Sequence, residues 1–201
     1  LDMARIDSAH FSIQIDWQSI EEVIGSVLHT LAFSYPDIDI HIDLPADCPL
    51  VEFDPVLMAR VLNNLLENAI KYSKTAPEVS IEVTYDNHSL SITVYDRGIG
   101  IPYGQEEAIF EKFNRLQRET PQIGAGLGLS IAKSIVEAHH GTITVHRRAT
   151  GGSAFTVSIP RQKEPTIDFD EDTLFMPEDK SQRTENKRER SERSERSDIK
   201  K

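Results

Sequence analysis

Apolar residues recur at helical spacing in three segments of the chain. Between residues 20 and 31 they return every three or four positions, which predicts an amphipathic helix. A second helix is predicted over 57–72, where apolar pairs repeat on one face behind the N-cap and first-turn proline of Asp54-Pro55. A third helix is predicted over 127–140, with Gly141 at its C-cap.

Alternation of apolar and polar residues marks the strands. It predicts one strand over 38–44 and a hairpin that joins 79–85 to 90–94 through a polar turn. A last hairpin is predicted to pair 142–146 with 155–159 around a Gly-Gly turn. Hairpins that alternate with three helices predict an α+β fold. In this fold a mostly antiparallel mixed sheet packs against the helices as a two-layer sandwich.

Charge divides the chain into a body and a tail. The formal net charge is −11, of which residues 1–163 contribute −8. Residues 164–179 hold seven acidic and no basic side chains, and residues 180–201 hold nine basic and five acidic ones. Neither stretch has enough apolar residues to offset the entropy of ordering. We therefore expect a disordered charged tail over 164–201.

The same composition excludes several classes of function. An acidic body argues against a nucleic-acid-binding surface, and interleaved Glu residues weaken the positive field of the tail. The single cysteine, Cys48, excludes an internal disulfide and a multi-cysteine metal site. No apolar run approaches the roughly 20 residues that span a bilayer, so we expect no membrane contact by this chain.

A polar stripe is predicted along the 57–72 helix. Asn64, Asn68 and Lys71 are four and three residues apart, so at 100° per residue they fall within about 60° of one another. Two carboxamides and an ammonium aligned in this way suit Mg²⁺ and phosphate oxygens. From these residues alone, an exposed helix face with ordinary amides remains an equal alternative.

Asp96 shares the strand parity of the apolar residues at 90, 92 and 94, so its carboxylate is predicted to point toward the helices. A buried carboxylate needs a hydrogen-bond donor, because an unpaired buried charge is costly. A polar ligand is one source of that donor. The alternative is a turn in which Asp96 caps its own backbone.

Glycines precede and open the predicted third helix at positions 124, 126 and 128. Free N–H groups and the positive dipole end at a helix N-terminus favour phosphate. The segment lacks the Gly-Lys-Ser/Thr of a Walker A loop, and a glycine-rich loop without function remains an alternative. The polar stretch 114–123 before it is interpreted as a lid that orders over a bound ligand.

Four blocks in this order resemble the N, G1, F and G2 boxes of sensor histidine kinase catalytic ATP-binding domains. These domains belong to the GHKL superfamily, which has a Bergerat-type ATP-binding fold and includes gyrase-type, chaperone-type and mismatch-repair ATPases. The blocks are Asn64–Tyr72, Asp96–Gly100, Phe110–Arg115 and Gly124–Leu129.

The resemblance implies that the chain binds ATP with Mg²⁺. It assigns Asp96 to the adenine amino group, Asn64 and Asn68 to the metal, and Arg115 to the terminal phosphate. Gly98 and Gly100 are expected to let the backbone pass close to the base. The full expected nucleotide site comprises Asn64, Asn68, Lys71, Tyr72, Asp96, Gly98, Gly100, Ile101, Arg115, Gly124, Gly126, Leu127 and Gly128.

The resemblance also implies a protein histidine kinase, although no catalytic residue is assigned here. Hydrolysing relatives have a water-activating Glu where this chain has Asn64, and Glu67 lies about 100° around the helix from Asn68. We therefore expect transfer of the γ-phosphate to an outside acceptor. An ATP-hydrolysing conformational ATPase and a non-catalytic nucleotide-binding module are the two alternatives.

The acceptor is expected to be a histidine followed by an acid, and none of the seven histidines here has that context. His139 and His140 are interpreted as structural. We therefore predict the end of a dimerisation helix and a linker at 1–16, the catalytic domain at 17–163 and the tail at 164–201.

The expected partners are the dimerisation domain that carries the phosphoacceptor and a response regulator. We expect a cytoplasmic domain whose parent protein lies in the bacterial plasma membrane. The opening Leu-Asp-Met-Ala-Arg, the residues that follow the G1 box and Gly151–Phe155 resemble potassium-responsive Kdp-type sensor kinases. Arg97 departs from the Asn that is usual in the G1 box, and we expect it to alter solvent near the base.

Overall fold

The computed structural model describes residues 13–73, 78–112 and 127–162. Within them lie three α-helices, one 3₁₀ turn (Ala108–Phe110) and seven strands. The helices are α1 (Ile20–Ser34), α2 (Pro55–Tyr72) and α3 (Gly128–Ala138). The strands are β1 (Asp16–Gln18), β2 (Ile40–Asp43), β3 (Val51–Phe53), β4 (Val79–Tyr85), β5 (Ser89–Tyr95), β6 (Thr142–Arg147) and β7 (Ser153–Pro160).

Five strands form the main sheet in the order β2-β4-β5-β7-β6. Strand β2 pairs with β4 in parallel, and the other three pairings are antiparallel. Alternate residues of β4, β5 and β7 are buried in one core with the apolar faces of the three helices. The predicted mixed sheet packed against three helices is thus confirmed, and both predicted hairpins are present.

Helix α2 begins where the sequence predicts. The Oδ1 atom of Asp54 accepts the backbone N–H groups of Val56 and Leu57, both at 3.0 Å. Pro55 occupies the first turn, where its missing N–H removes no helical hydrogen bond. The apolar pairs of α2 are buried, so this helix forms the centre of the helical layer.

Strands β1 and β3 form a separate two-stranded antiparallel sheet that the sequence pattern did not predict. Each has three residues, which is too short for alternation to be recognised. Strand β1 begins at Asp16, a residue expected in the linker. The limits of the catalytic domain itself stay a prediction.

The end of α3 differs from the expectation. Helix α3 ends at Ala138, and the residue with positive φ is His140, at 58°, rather than Gly141. Gly141 is required for another reason, because a Cβ there would lie 2.5 Å from the carbonyl oxygen of Ser158. The predicted glycine C-cap was wrong, and the glycine instead allows α3 to lead directly into β6.

Several expectations fall outside the described residues. They are the end of the dimerisation helix, residues 113–115 of the F box, the lid at 114–123 and the charged tail. None of the described helices is both long enough and apolar enough to cross a membrane.

Candidate nucleotide-binding site

The polar stripe of α2 lies beside its buried face. Asn64, Asn68 and Lys71 are half-buried, whereas Glu67 is exposed. Tyr72 is 42% exposed, and the Lys71 ammonium lies 5.5 Å from the centroid of its ring. The stripe therefore lies at the boundary between core and solvent, where its amide groups are accessible to a polar ligand.

The start of α3 packs directly against this stripe. A Cβ at Gly128 would lie 2.8 Å from Oδ1 of Asn64, so glycine allows the close approach of the two helices. Leu127 is the N-cap residue, and its carbonyl oxygen accepts the Ser130 hydroxyl at 2.9 Å. The N-terminus of α3 is thereby held beside the first of the two asparagines.

Asp96 follows β5 and is only 4% exposed, which confirms the inward direction given by strand parity. Its Oδ1 atom accepts the N–H of Gly98 at 2.7 Å and the N–H of Ser153 at 3.1 Å. The Asp96 N–H in turn donates to the carbonyl oxygen of Ser153 at 3.0 Å. The carboxylate thus caps its own turn and is also fixed by the neighbouring strand β7.

The G1 glycines are required by contacts with the protein's own backbone. A Cβ at Gly98 would lie 2.5 Å from the carbonyl oxygen of Tyr72, at the end of α2. Gly100 has φ of 73°, and a Cβ there would lie 3.1 Å from the carbonyl oxygen of Gly152. Close packing of the G1 loop against α2 and the β6–β7 turn is therefore one reason for glycine at both positions, and the expected room for a base stays a prediction.

These contacts bring two segments, the G1 loop and α3, against α2. The G1 loop meets its C-terminal end at Tyr72, and α3 meets it at Asn64. The two contact points are eight residues apart, about 12 Å along the helix. Asn68 and Lys71 lie between them, so the geometry defines a polar face bounded by Asp96 at one end and a helix N-terminus at the other.

The loop after the G1 box is anchored in the core. Ile101 is 8% exposed, and Phe110 packs edge-on to Phe155 with ring centroids 6.4 Å apart. Arg97 forms an exposed salt bridge with Glu78 at 2.6 Å. The expected effect of Arg97 on solvent near the base is not tested by this contact.

Two residues that hold Asp96 in place, Gly152 and Ser153, were not identified from the sequence. Gly152 has φ of 85°, and a Cβ there would lie 2.0 Å from the carbonyl oxygen of Asp96. Ser153 makes two of the three hydrogen bonds to Asp96 described above, through its N–H and its carbonyl oxygen. The Gly-Gly dipeptide indicated a turn, but its contact with Asp96 joins residues more than 50 positions apart and leaves no local pattern.

The buried His139 links the ends of two helices. Its Nδ1–H donates to the carbonyl oxygen of Ile135 at 2.7 Å, so its Nε2 atom accepts the N–H of Asp54 at 3.0 Å. His139 therefore holds the end of α3 against the N-cap of α2. This confirms that His139 is structural.

Three expected site residues, Arg115, Gly124 and Gly126, lie outside the described residues. Two depressions with described walls are lined by neither the asparagines nor Asp96. One, of about 400 Å³, lies at the start of α2 and β1, and the other, of about 150 Å³, is an apolar hollow at the end of α1.

The fold and the site together define an α+β domain with a buried carboxylate, an amide-lined helix and a helix N-terminus converging on one face. This combination is that of a nucleotide-binding domain. The chain belongs to the family described as "Histidine kinase-, DNA gyrase B-, and HSP90-like ATPase", which it matches over residues 53–163.

Known relatives agree with this membership. The chain is 43% identical over 175 residues to Sensor protein KdpD of Escherichia coli (strain K12), covering 86% of this chain and 19% of that protein. It therefore spans about a fifth of that relative's length.

Solved structures have the same fold. Mycobacterial sensor histidine kinase MprB aligns with a TM-score of 0.65 and 26% identity, covering 75% of this chain and 100% of that chain. Histidine kinase ThkA, solved in complex with response regulator protein TrrA, aligns with a TM-score of 0.63 and 26% identity, covering 75% and 42%.

Proposed function

We propose that the chain is the ATP-binding catalytic domain of a sensor histidine kinase and transfers the γ-phosphate of ATP to a histidine on a dimerisation domain. The observation that carries this proposal is the buried carboxylate of Asp96 at one end of the polar face of α2. The similarity of the chain to proteins named as a sensor protein and a sensor histidine kinase supports the assignment.

Asp96 recognises the base. Its Oδ1 atom is held by the N–H groups of Gly98 and Ser153. The other oxygen, Oδ2, accepts the amino group of adenine. A hydrogen bond to a charged acceptor contributes about 1.5–3 kcal/mol. Guanine has a carbonyl oxygen at the corresponding position, so the same carboxylate disfavours GTP.

The asparagines fit a magnesium ion. Mg²⁺ prefers hard oxygen ligands, and the amide oxygens of Asn64 and Asn68 lie one helical turn apart on the half-buried stripe. When bound, the ion neutralises charge on the phosphate oxygens. Lys71 and the N-terminus of α3 provide further positive charge, and Gly124, Gly126 and Arg115 are proposed to complete the phosphate side.

Transfer in this site depends on positioning. Phosphoryl transfer needs aligned groups and charge stabilisation more than it needs a base. Asn64 cannot take a proton, and Glu67 is exposed outside the stripe. These residues favour transfer to an outside histidine over activation of water.

Similarity to other kinases supports a proposed role for the whole protein. A complex of ThkA with a response regulator supports onward transfer to such a protein. Similarity to Sensor protein KdpD supports a potassium-responsive Kdp-type system. In this proposal the domain is cytoplasmic and its parent is a protein of the bacterial plasma membrane.

Transfer is tested by mixing the chain with a separately made dimerisation fragment and radiolabelled ATP. Acid-labile label on the fragment's histidine is expected, and a His→Ala fragment should remain unlabelled. Steady phosphate release without any acceptor, together with no label on the fragment, would contradict the proposal and favour a hydrolysing ATPase.

The metal assignment is tested separately. Asn68→Ala should weaken the dependence of ATP affinity on Mg²⁺ in calorimetric titrations, because one of the two proposed amide ligands is lost. Glu67→Ala is the matched control, since that exposed side chain lies outside the stripe. An Asn68→Ala variant that responds to Mg²⁺ as the parent does would exclude this ligand.

A further inference from the structure

The turn between β6 and β7 contacts the backbone of Asp96. Gly152 passes so close that a Cβ would lie 2.0 Å from the carbonyl oxygen of Asp96. The same oxygen accepts a hydrogen bond from Nη1 of Arg148 at 2.9 Å. Side-chain and main-chain atoms of one turn therefore fix the orientation of the peptide group that follows Asp96.

The guanidinium of Arg148 is itself held in place. It lies 5.0 Å from the centroid of the Tyr95 ring, within the range of a cation–π contact. The Tyr95 hydroxyl donates to Glu82 on the adjacent strand β4. The Arg148 backbone is fixed as well, because its N–H donates to the carbonyl oxygen of Gly152 at 3.1 Å.

This arrangement connects three parts of the sheet to one peptide group. Its order is Glu82 on β4, Tyr95 on β5, Arg148 in the β6–β7 turn, and the carbonyl oxygen of Asp96. Rotation of the peptide that follows Asp96 would displace the backbone that leads to Gly98, whose N–H holds the Oδ1 atom of Asp96 at 2.7 Å. Arg148 opposes that rotation through its hydrogen bond to the carbonyl oxygen of Asp96, and not through an ion pair with the carboxylate.

We propose that Arg148 is a positioning residue that holds the Asp96 backbone so that the carboxylate aligns with the adenine amino group. This inference rests on the proposed nucleotide-binding function and adds a determinant of base selectivity to it. Because Arg148 acts through Asp96, its loss should affect the recognition of the base more than the binding of the phosphates.

Base selectivity is measured as the ratio of affinities for ATP and inosine triphosphate, determined by calorimetry with Mg²⁺. Inosine has a carbonyl oxygen where adenine has its amino group, so the ratio reports the alignment of the Asp96 carboxylate. The parent chain should prefer ATP by at least about tenfold, the value of one charge-assisted hydrogen bond. Arg148→Ala should reduce this ratio by about three- to tenfold.

Arg161 provides a matched control. Its Nη1 donates to the carbonyl oxygen of Asp86 at 3.0 Å, and its guanidinium lies 5.2 Å from the Tyr85 ring centroid. Arg161→Ala therefore removes the same kinds of contact elsewhere in the sheet. It should leave the ATP-to-inosine ratio unchanged.

Arg148→Lys and Tyr95→Leu test the same arrangement if Arg148→Ala folds poorly. Lysine retains a charged donor and should restore part of the selectivity, whereas Tyr95→Leu removes the ring under the guanidinium and should lower it. A purely structural role would weaken both nucleotides equally. An unchanged ratio in folded Arg148→Ala or Tyr95→Leu would overturn the positioning role.

The parent chain distinguishes this failure from that of the proposed function. If the parent itself does not discriminate ATP from inosine triphosphate, the contact between Asp96 and adenine is wrong, and the positioning role fails with it. If the parent discriminates between the two nucleotides and the Arg148 variants have the same affinity ratio as the parent, the nucleotide site stands and the role of Arg148 is wrong.

Discussion

The two ends of strand β5 have the same three residue types but differ in burial. At the Asp86 end, defined as Tyr85, Asp86 and Arg161, arginine stacks on tyrosine and donates to the aspartate carbonyl oxygen. The Asp86 carboxylate accepts two nearby N–H groups, from His88 and Ser89, at 2.8 Å each. This aspartate is exposed and closes a tight turn within its own hairpin.

At the Asp96 end, defined as Tyr95, Asp96 and Arg148, the contacts of arginine are the same. Asp96 is buried, however, and one of its donors, the N–H of Ser153, comes from another strand. The difference teaches that a capping aspartate becomes a candidate ligand-binding group when it is buried beside a polar helix face. The capping bonds themselves do not distinguish the two.

The largest expected effect comes from the backbone contact that only the Asp96 end has. Gly152→Ala should lower the free energy of unfolding by about 2–5 kcal/mol, because positive φ and a clash with the Asp96 carbonyl oxygen act together. Gly151→Ala is the control, since φ is also positive at 91° but no atom lies within 4 Å of a Cβ. It should cost about 1–2 kcal/mol.

Denaturant titrations of the two variants measure this difference. Equal destabilisation by both substitutions would show that the close approach of Gly152 to Asp96 contributes nothing beyond the strained φ.

The second expected effect concerns ligand binding. Asp96→Asn should weaken ATP binding by about 10- to 150-fold, because a neutral amide replaces the charged acceptor. The fold should persist, since the amide oxygen can still accept the N–H groups of Gly98 and Ser153. Asp86→Asn should leave the affinity unchanged. Calorimetry with both variants checks this. If Asp96→Asn and Asp86→Asn bind ATP with equal affinity, the two ends do not differ in ligand binding.

A smaller effect separates the two tyrosines. The pKa of Tyr95 is raised mainly by its hydrogen bond to Glu82, and that of Tyr85 mainly by its hydrogen bond to Asp47. Glu82→Gln should therefore lower the pKa of Tyr95 and leave that of Tyr85 unchanged. Because the folded pKa is raised, the stabilisation is present below about pH 10 and is lost as the pH rises through the folded pKa.

Ultraviolet titration of tyrosinate, with Tyr95→Phe to assign the signal, measures the shift. If Tyr95 ionises at the same pH in the parent and in Glu82→Gln, the hydrogen bond between Tyr95 and Glu82 on β4 would be excluded as the cause of the raised pKa.

The smallest effect is a pH dependence at the Asp86 end. Backbone N–H groups of His88 and then Ser89 hold the pKa of Asp86 below its ordinary value of 3.8. The resulting stabilisation is present above that ordinary pKa and is lost as the pH falls through the folded value. The advantage of the parent over Asp86→Asn in denaturant titrations should therefore shrink below that pH. A constant difference down to the lowest pH would contradict this.

Strand parity in the sequence distinguishes these two aspartates. Asp96 continues the buried positions 90, 92 and 94, whereas Asp86 lies off the buried parity of 79, 81 and 83. The helices were equally predictable, because the apolar pairs of α2 and the Asp54 N-cap are local signals. All of these depend on residues close in sequence.

Contacts between distant segments were not predictable in this way. Arg148 and Ser153 reach Asp96 from more than 50 positions away, and only the folded hairpins bring them together. His140 has the left-handed conformation, whereas the adjacent Gly141 lies where the chain passes close to Ser158. Packing thus overrode the usual preference for glycine at positive φ.

The most direct test of the central claim is a crystal structure of the chain with Mg²⁺ and a non-hydrolysable ATP analogue. The adenine amino group is expected to lie within hydrogen-bond distance of the Asp96 carboxylate, with the metal against Asn64 or Asn68. An analogue bound elsewhere, or a crevice beside α2 that stays empty at saturating analogue, would contradict it.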